Sequence, residues 1–238
     1  MTALAAGNDR YPRMKAARIA SALTLTLTLA ASQAWAVKPF VADYEASWKG
    51  VQANAQISLN RGGDNRWNYE LSVSNQLGSS RQTTVFEEHG GSFRPLSGVD
   101  ATQVLFKRSQ KNATYNWAQR EAHWSGDVKA DRVGPVKLED GDLDGMLINL
   151  ALVRDVAAGK PLSYRLVDNG VARPQRFQNL GKDTVTVGGQ QRTATKVARS
   201  SDDKQVIVWI VDGLPTPARI LQRKDGRDEL ELTLKSVR

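Results

Sequence analysis

From Phe40 onward, apolar and polar residues alternate one for one, and glycine-bearing turns break the alternation at short intervals. Successive side chains of an extended chain project to opposite faces, so this period makes strands with one apolar and one solvated face. A helix built on it would scatter its apolar groups all round. Phe40, Ala42, Tyr44, Ala46 and Trp48 are interleaved with Asp43, Glu45 and Ser47. Lys49-Gly50 then offers a tight turn, and Val51, Ala53, Ala55, Ile57 and Leu59 alternate with Gln52, Asn54, Gln56, Ser58 and Asn60, which predicts a hairpin. Beyond Gly62-Gly63-Asp64-Asn65 the pattern resumes with Trp67, Tyr69, Leu71 and Val73.

Further strands are predicted at 81–88, 103–107, 112–117, 122–124, 162–167, 173–180, 184–187, 191–198, 206–211, 218–223 and 229–235. Residues 206–211 are apolar at every position, so that strand is expected to be covered on both faces or to line a closed interior. The spacing changes once. Leu143, Met146, Leu147, Leu150 and Ala157 predict a helix over about 143–158, capped by Asp142 or Asp140 and stopped by Gly159 and Pro161. So many short strands joined through turns favour an antiparallel meander too wide to stay flat. The expected fold is mainly β: a curled antiparallel sheet, half-open and barrel-like, with one principal α-helix packed on it.

Residues 1–36 read differently. Arg10, Arg13, Lys15 and Arg18 precede an apolar run over 19–31, softened by Thr24, Thr26 and Thr28, and Ala34-Trp35-Ala36 closes it with a small-x-small site. The run falls short of the ~20 apolar residues of a comfortable membrane span, and its order is that of a cleavable signal peptide. Met14 is an equally good start. The expectation is export to the periplasm, or release, of a single β-rich domain over 37–238 with no transmembrane segment left after cleavage. Removing the leader takes away four positive charges and one negative, lowering the net charge from +8 to +5, so much of the basicity belongs to the leader. The absence of cysteine excludes disulfides, lipoprotein acylation, thiol redox chemistry and Cys-ligated metal.

Few motifs carry chemistry. Asp140-Gly141-Asp142-Leu143-Asp144-Gly145 opens like a calcium loop, but Ile148 and Ala151 stand where the ninth ligand and the bidentate glutamate belong. The motif reads instead as an acidic helix start. The histidines, His89 and His123, lack any zinc spacing, and no G-x-S-x-G elbow, phosphate-binding loop or dinucleotide fingerprint occurs. No cofactor is expected. Arg219, Arg223, Lys224 and Arg227 are interrupted by Asp225, Asp228 and Glu229, a mixed-charge face rather than a nucleic-acid stripe. Asn112-Ala113-Thr114 is a glycosylation sequon by accident of composition.

The aromatics remain, mostly on predicted strands, and as core they need no further role. A curled sheet can also leave an interior wider than its side chains fill. Tyr44, Trp48, Trp67, Tyr69, Trp117 and Trp209 are then the candidates to line a site for a hydrophobic small molecule or envelope component.

The start Tyr44-Glu45-Ala46-Ser47-Trp48-Lys49-Gly50-Val51-Gln52-Ala53, the helix over 142–154, and the ending Val208-Trp209-Ile210 with Leu214-Pro215-Thr216-Pro217-Ala218-Arg219-Ile220 resemble the domain-of-unknown-function 3108 family of exported Gram-negative proteins. Ala53 is a departure from the family pattern, in which many members carry glycine. The resemblance covers nearly all of 37–238 and implies an exported protein whose open, curled antiparallel sheet encloses a helix. It brings no reaction and no functional residues. The leading expectation is therefore a non-enzymatic periplasmic protein that binds a hydrophobic molecule on a concave β surface. The alternatives are an envelope interaction protein with a fully packed core, and an envelope hydrolase built on His89 or His123.

Overall fold

The computed structural model describes residues 37–201 and 203–238; the predicted leader, 1–36, lies outside the described residues. The first half of the chain is a meander of β1 (Phe40–Trp48), β2 (Val51–Arg61), β3 (Arg66–Asn75), β4 (Gly78–His89), β5 (Ser92–Val104), β6 (Lys107–Asn116), β7 (Glu121–Gly126) and β8 (Val136–Lys137). A short strand β9 (Asp142–Leu143) leads into helix α1 (Gly145–Ala157), followed by β10 (Ser163–Asp168) and β11 (Val171–Arg176). A second meander closes the chain: β12 (Gln178–Val187), β13 (Gln190–Ser201), β14 (Lys204–Ile210), β15 (Arg219–Lys224) and β16 (Arg227–Val237).

The two meanders form one sheet of thirteen strands, ordered β12-β13-β14-β15-β16-β1-β2-β3-β4-β5-β6-β7-β8, and β11-β10-β9 form a small second sheet. Every neighbour in the large sheet is consecutive in sequence except β16 and β1, which pair antiparallel from Ala42↔Val237 to Trp48↔Leu230. The first and last strands thus sit in the middle of the sheet. Its edges are blunt: β8 has two residues, and β12 is bulged between Asn179 and Lys182. The sheet is curled but not closed into a barrel.

The alternation does what its period requires. Along β1, Phe40, Ala42, Tyr44 and Ala46 are buried while Glu45 is exposed, and the same faces of β2, β3 and β16 supply Ile57, Leu59, Trp67, Tyr69, Leu232 and Leu234. The β1–β2 turn holds Lys49 at φ 51° and Gly50 at φ 80°, the positive pair that matches strand twist in a two-residue hairpin. Val208 and Ile210 of β14 join the main core, while Ile207, Trp209 and Val211 pack with Val185, Ala194 and Leu221 on the opposite face, so this strand is covered on both sides.

Helix α1 lies within the concavity. Met146, Leu147, Ile148, Leu150, Ala151, Leu152 and Val153 are all buried, leaving no wet stripe along its middle. It is therefore surrounded rather than laid on a surface, against Phe40, Tyr69, Phe86, Phe93, Ile210 and Leu234. Asp155 anchors its far end, accepting hydrogen bonds from Arg154 Nε at 2.7 Å and the Tyr164 hydroxyl at 3.1 Å. No helix among the described residues is long and apolar enough to cross a membrane.

Four local expectations need correction. The helix cap is Asp144, not Asp142 or Asp140, because Asp142 and Leu143 are extended and pair with β10. The predicted strand 103–107 is broken by a turn: Gln103 and Val104 end β5, Lys107 opens β6, and between them Leu105 sits at φ 53° and Phe106 is fully exposed, so apolar identity misled there. The predicted strand 173–180 divides at Phe177 between β11 and β12. Most of β5 gave no strand signal, since it carries Pro95 and Gly98 and its later residues include Asp100 and Thr102.

Leu150 is wholly buried at the middle of α1. Leu150→Ala is expected to cost about 3 kcal/mol in denaturant unfolding, whereas Phe106→Ala should change stability by less than about 0.5 kcal/mol.

Candidate functional site: a half-filled concave face

The helix fills only part of the concavity. Beyond its first turn the concave face keeps a hollow of about 340 Å³, lined by the apolar Ile57, Leu71, Ile220, Leu230 and Leu232 together with the polar Gln82, Thr84, Asp100 and Lys111. Arg173 of β11 and Arg199 of β13 also face it. A second hollow of about 190 Å³ shares Leu71, Gln82, Gln222 and Leu230 with the first and reaches past Trp48 and Val73 to Asn75 and Gly78 in the β3–β4 turn. Together they make an amphipathic trough that reaches that turn, in which apolar and polar side chains stand side by side, Leu71 paired with Gln82 and Leu230 with Gln222. Clefts of this size with a few convergent polar groups suit a small organic ligand.

Asp144 stands at the inner end of the trough, where helix and sheet meet. Its Oδ1 accepts from the Leu147 backbone N–H at 2.8 Å, and its Oδ2 accepts from the Thr84 hydroxyl at 2.5 Å, so one carboxylate caps α1 and ties it to β4. Burial pushes this carboxyl up to about 6, against the pull of the Thr84 and Leu147 hydrogen bonds. Burial also raises Asp168, which the Asn169 backbone and side-chain amides partly offset, and lowers Arg199, which has the Arg173 guanidinium nearby. Deeper in the core the Tyr44 hydroxyl donates to the Pro217 carbonyl at 2.7 Å and lies 2.8 Å from Thr216 Oγ1. Burial holds Tyr44 and Tyr69 well above the ordinary phenol range, as neutral hydrogen-bonding groups.

Of the six aromatics singled out from the sequence, Tyr69 and Trp48 line the trough. Tyr44 and Trp67 are buried in the main core. Trp117 lies elsewhere, its indole N–H donating to the Pro95 carbonyl at 2.6 Å under the Arg94 guanidinium. Trp209 occupies the opposite face of β14, where its N–H donates to Asp183 at 2.9 Å and Arg219 and Lys196 flank the ring. The Trp209 indole, the Thr184 backbone N–H and the Lys196 ammonium hold the half-exposed Asp183 carboxyl down at about 2, the indole contributing most. His89 is exposed at the β4–β5 turn, and His123 is exposed on β7 with Nε2 3.4 Å from Glu121; neither lines the trough.

The three aspartates of the calcium-like motif take separate partners. Asp140 lies near Arg120 and Arg94, Asp142 pairs with Arg165, and Asp144 caps the helix. Among the described residues no group of three or more His, Cys, Asp or Glu could hold a metal ion. Sequence reasoning missed Gln82, Thr84, Asp100, Lys111 and Arg199. A signal for the first two existed: Phe86, Thr84, Gln82 and Ser80 share one parity along β4, and that inward row turns polar where the helix ends.

Residues 43–233 match the family described as "Protein of unknown function (DUF3108)". The chain belongs to that family. No curated protein matches this DUF3108 chain. Among solved structures it is similar to a β-barrel-like protein of domain of unknown function DUF1849 from Brucella abortus, with 12% identity, a TM-score of 0.51, and coverage of 84% of this chain and 97% of that one. At such identity the likeness is one of fold. MucB, at 10% identity, TM-score 0.34 and 84% coverage of this chain, and MucB in the Pseudomonas aeruginosa MucA/MucB complex, at 11%, 0.36 and 84%, also align. The chain spans about half their length, 52% and 51% respectively.

Asp144 supplies a pH-dependent prediction. Its folded carboxyl titrates at about 6 against a usual 3.8, so the native state holds this proton more tightly than the unfolded chain does. The resulting stabilisation is complete below pH 3.8 and lost as pH rises through about 6. Asp144→Asn keeps a capping oxygen and removes the titration. The stability of the wild type relative to this variant should fall by about 2 kcal/mol between pH 4 and pH 7 in urea unfolding. Asp142, shifted in the same direction, is present in both proteins and cancels, while Asp168, whose charge helps to raise Asp144, adds to the difference.

Proposed function

We propose that this DUF3108 protein is a non-enzymatic periplasmic binding protein for an amphiphile, held with its hydrocarbon part on the Leu71–Leu230 wall and its polar part toward Gln82, Asp100 and Lys111. The observation that carries the reading is the half-filled concavity: a packed core would leave no trough, and a purely apolar pocket would not set polar side chains beside the leucines. The compartment rests on the leader motif at 15–36. A hydrolase reading depended on His89 or His123, and both lie away from the trough, which favours holding over turnover.

The exported protein, purified without detergent, should carry a co-purifying amphiphile in native mass spectrometry and bind cis-parinaric acid with a rise in its fluorescence. Gln82→Trp, which adds bulk where the two hollows meet, should weaken that binding by about tenfold or more while leaving the unfolding temperature near that of the wild type. A protein that carries nothing and binds no probe, or a variant that binds it as well as the wild type, would refute the reading.

A further inference from the structure

The β5–β6 turn is built against the rule for two-residue hairpins. Leu105 holds φ 53°, a conformation that glycine adopts freely and a branched side chain adopts at a cost, and Phe106 beside it is fully exposed. Leu105 N–H donates to the Leu77 carbonyl at 3.0 Å, which ties this turn to the β3–β4 turn, and Leu77 is itself 54% exposed. Three large apolar side chains therefore stand together at one end of the sheet. Solubility gains nothing from them and a turn does not need them.

Charge and position identify what they meet. Lys107 and Arg108, both exposed, follow Phe106 directly, and the segments 74–80 and 101–110 contain no acidic residue. On the other side of the trough the β15–β16 hairpin sets Lys224 and Arg227 against Asp225, Asp228 and Glu229, the last of which lines the outer hollow, so the net attraction for anions comes from the β5–β6 side. The β3–β4 turn that carries Leu77 also carries Asn75 and Gly78, which line the outer hollow. The apolar tip thus stands at the mouth of the trough.

We infer that Leu77, Leu105 and Phe106 form a docking tip that enters an anionic lipid surface, with Lys107 and Arg108 on the lipid headgroups. Apolar side chains beneath a basic collar are the combination that binds such a surface, burial and electrostatic attraction adding together. Docked this way, the trough opens toward the bilayer, and an amphiphile enters it without crossing water. That last step rests on the binding reading above; the docking itself does not.

Co-sedimentation of the exported protein with vesicles tests it. Vesicles of phosphatidylcholine with about 30 mol% phosphatidylglycerol should capture the protein, pure phosphatidylcholine should capture much less, and about 0.5 M NaCl should release most of it. Leu77→Ser with Phe106→Ser, and separately Lys107→Glu with Arg108→Glu, should each weaken capture by about tenfold. Cis-parinaric acid binding in solution should be unchanged in both, which separates failure of docking from failure of the trough. Phe106→Trp should gain tryptophan quenching by brominated lipids beyond that of the wild type. No capture by anionic vesicles, or capture indifferent to both double variants, would overturn the inference. So would tip-dependent self-association in the absence of any vesicle binding, since it would assign the tip to a protein contact.

Discussion

The burial of α1 against the concave face of the large sheet is the interaction on which the rest of the architecture depends. A sheet of thirteen strands with one apolar face must curl and cover that face, and β9, α1, β10 and β11 are what the chain places between its two meanders to do so. A helix of thirteen residues is about 20 Å long, while strands of ten to thirteen residues run about 33–44 Å, so a single helix cannot cover the whole concavity. The trough follows from that mismatch in length. Where the helix lies, the inward rows are Phe40, Leu59, Tyr69 and Phe86; beyond it they become Gln82, Ser80 and Thr102, which tolerate water or a polar ligand group.

Polar groups are placed where this arrangement needs to be exact. Asp144 binds two donors from different elements, so the helix start and β4 are set relative to each other by one side chain. A carboxylate buried there costs stability at neutral pH, and removing it would leave the Leu147 N–H and the Thr84 hydroxyl without their partner. Tyr44, on the first strand, meets Thr216 and Pro217 from the segment before β15. It joins the two meanders through hydrogen bonds inside the core, beside the β1–β16 seam that joins them through the backbone.

Much of this was legible in the chain. The period of two in β1, β2, β3 and β16, the doubly apolar β14 and the helix near residue 145 are local patterns, and local sterics reads them directly. The misreadings share a cause. Phe106, Leu105 and Leu180 are apolar yet exposed, and β5 is poor in apolar residues yet forms a long strand, because its neighbours pair it and a hollow lies over part of its inner face. Asp144 could not be chosen over Asp140 or Asp142 as the cap, since what separates them is the pairing of Asp142 and Leu143 with β10.

Alternation along the strands fixed that the chain would be a β protein and which side chains would share a face, because side-chain direction in an extended strand follows from position alone. Which of those shared faces would be packed and which left open was settled only in three dimensions. That depends on how far one short helix reaches across a curled sheet whose first and last strands meet, and strands so distant in sequence leave no mark of their meeting in either segment alone.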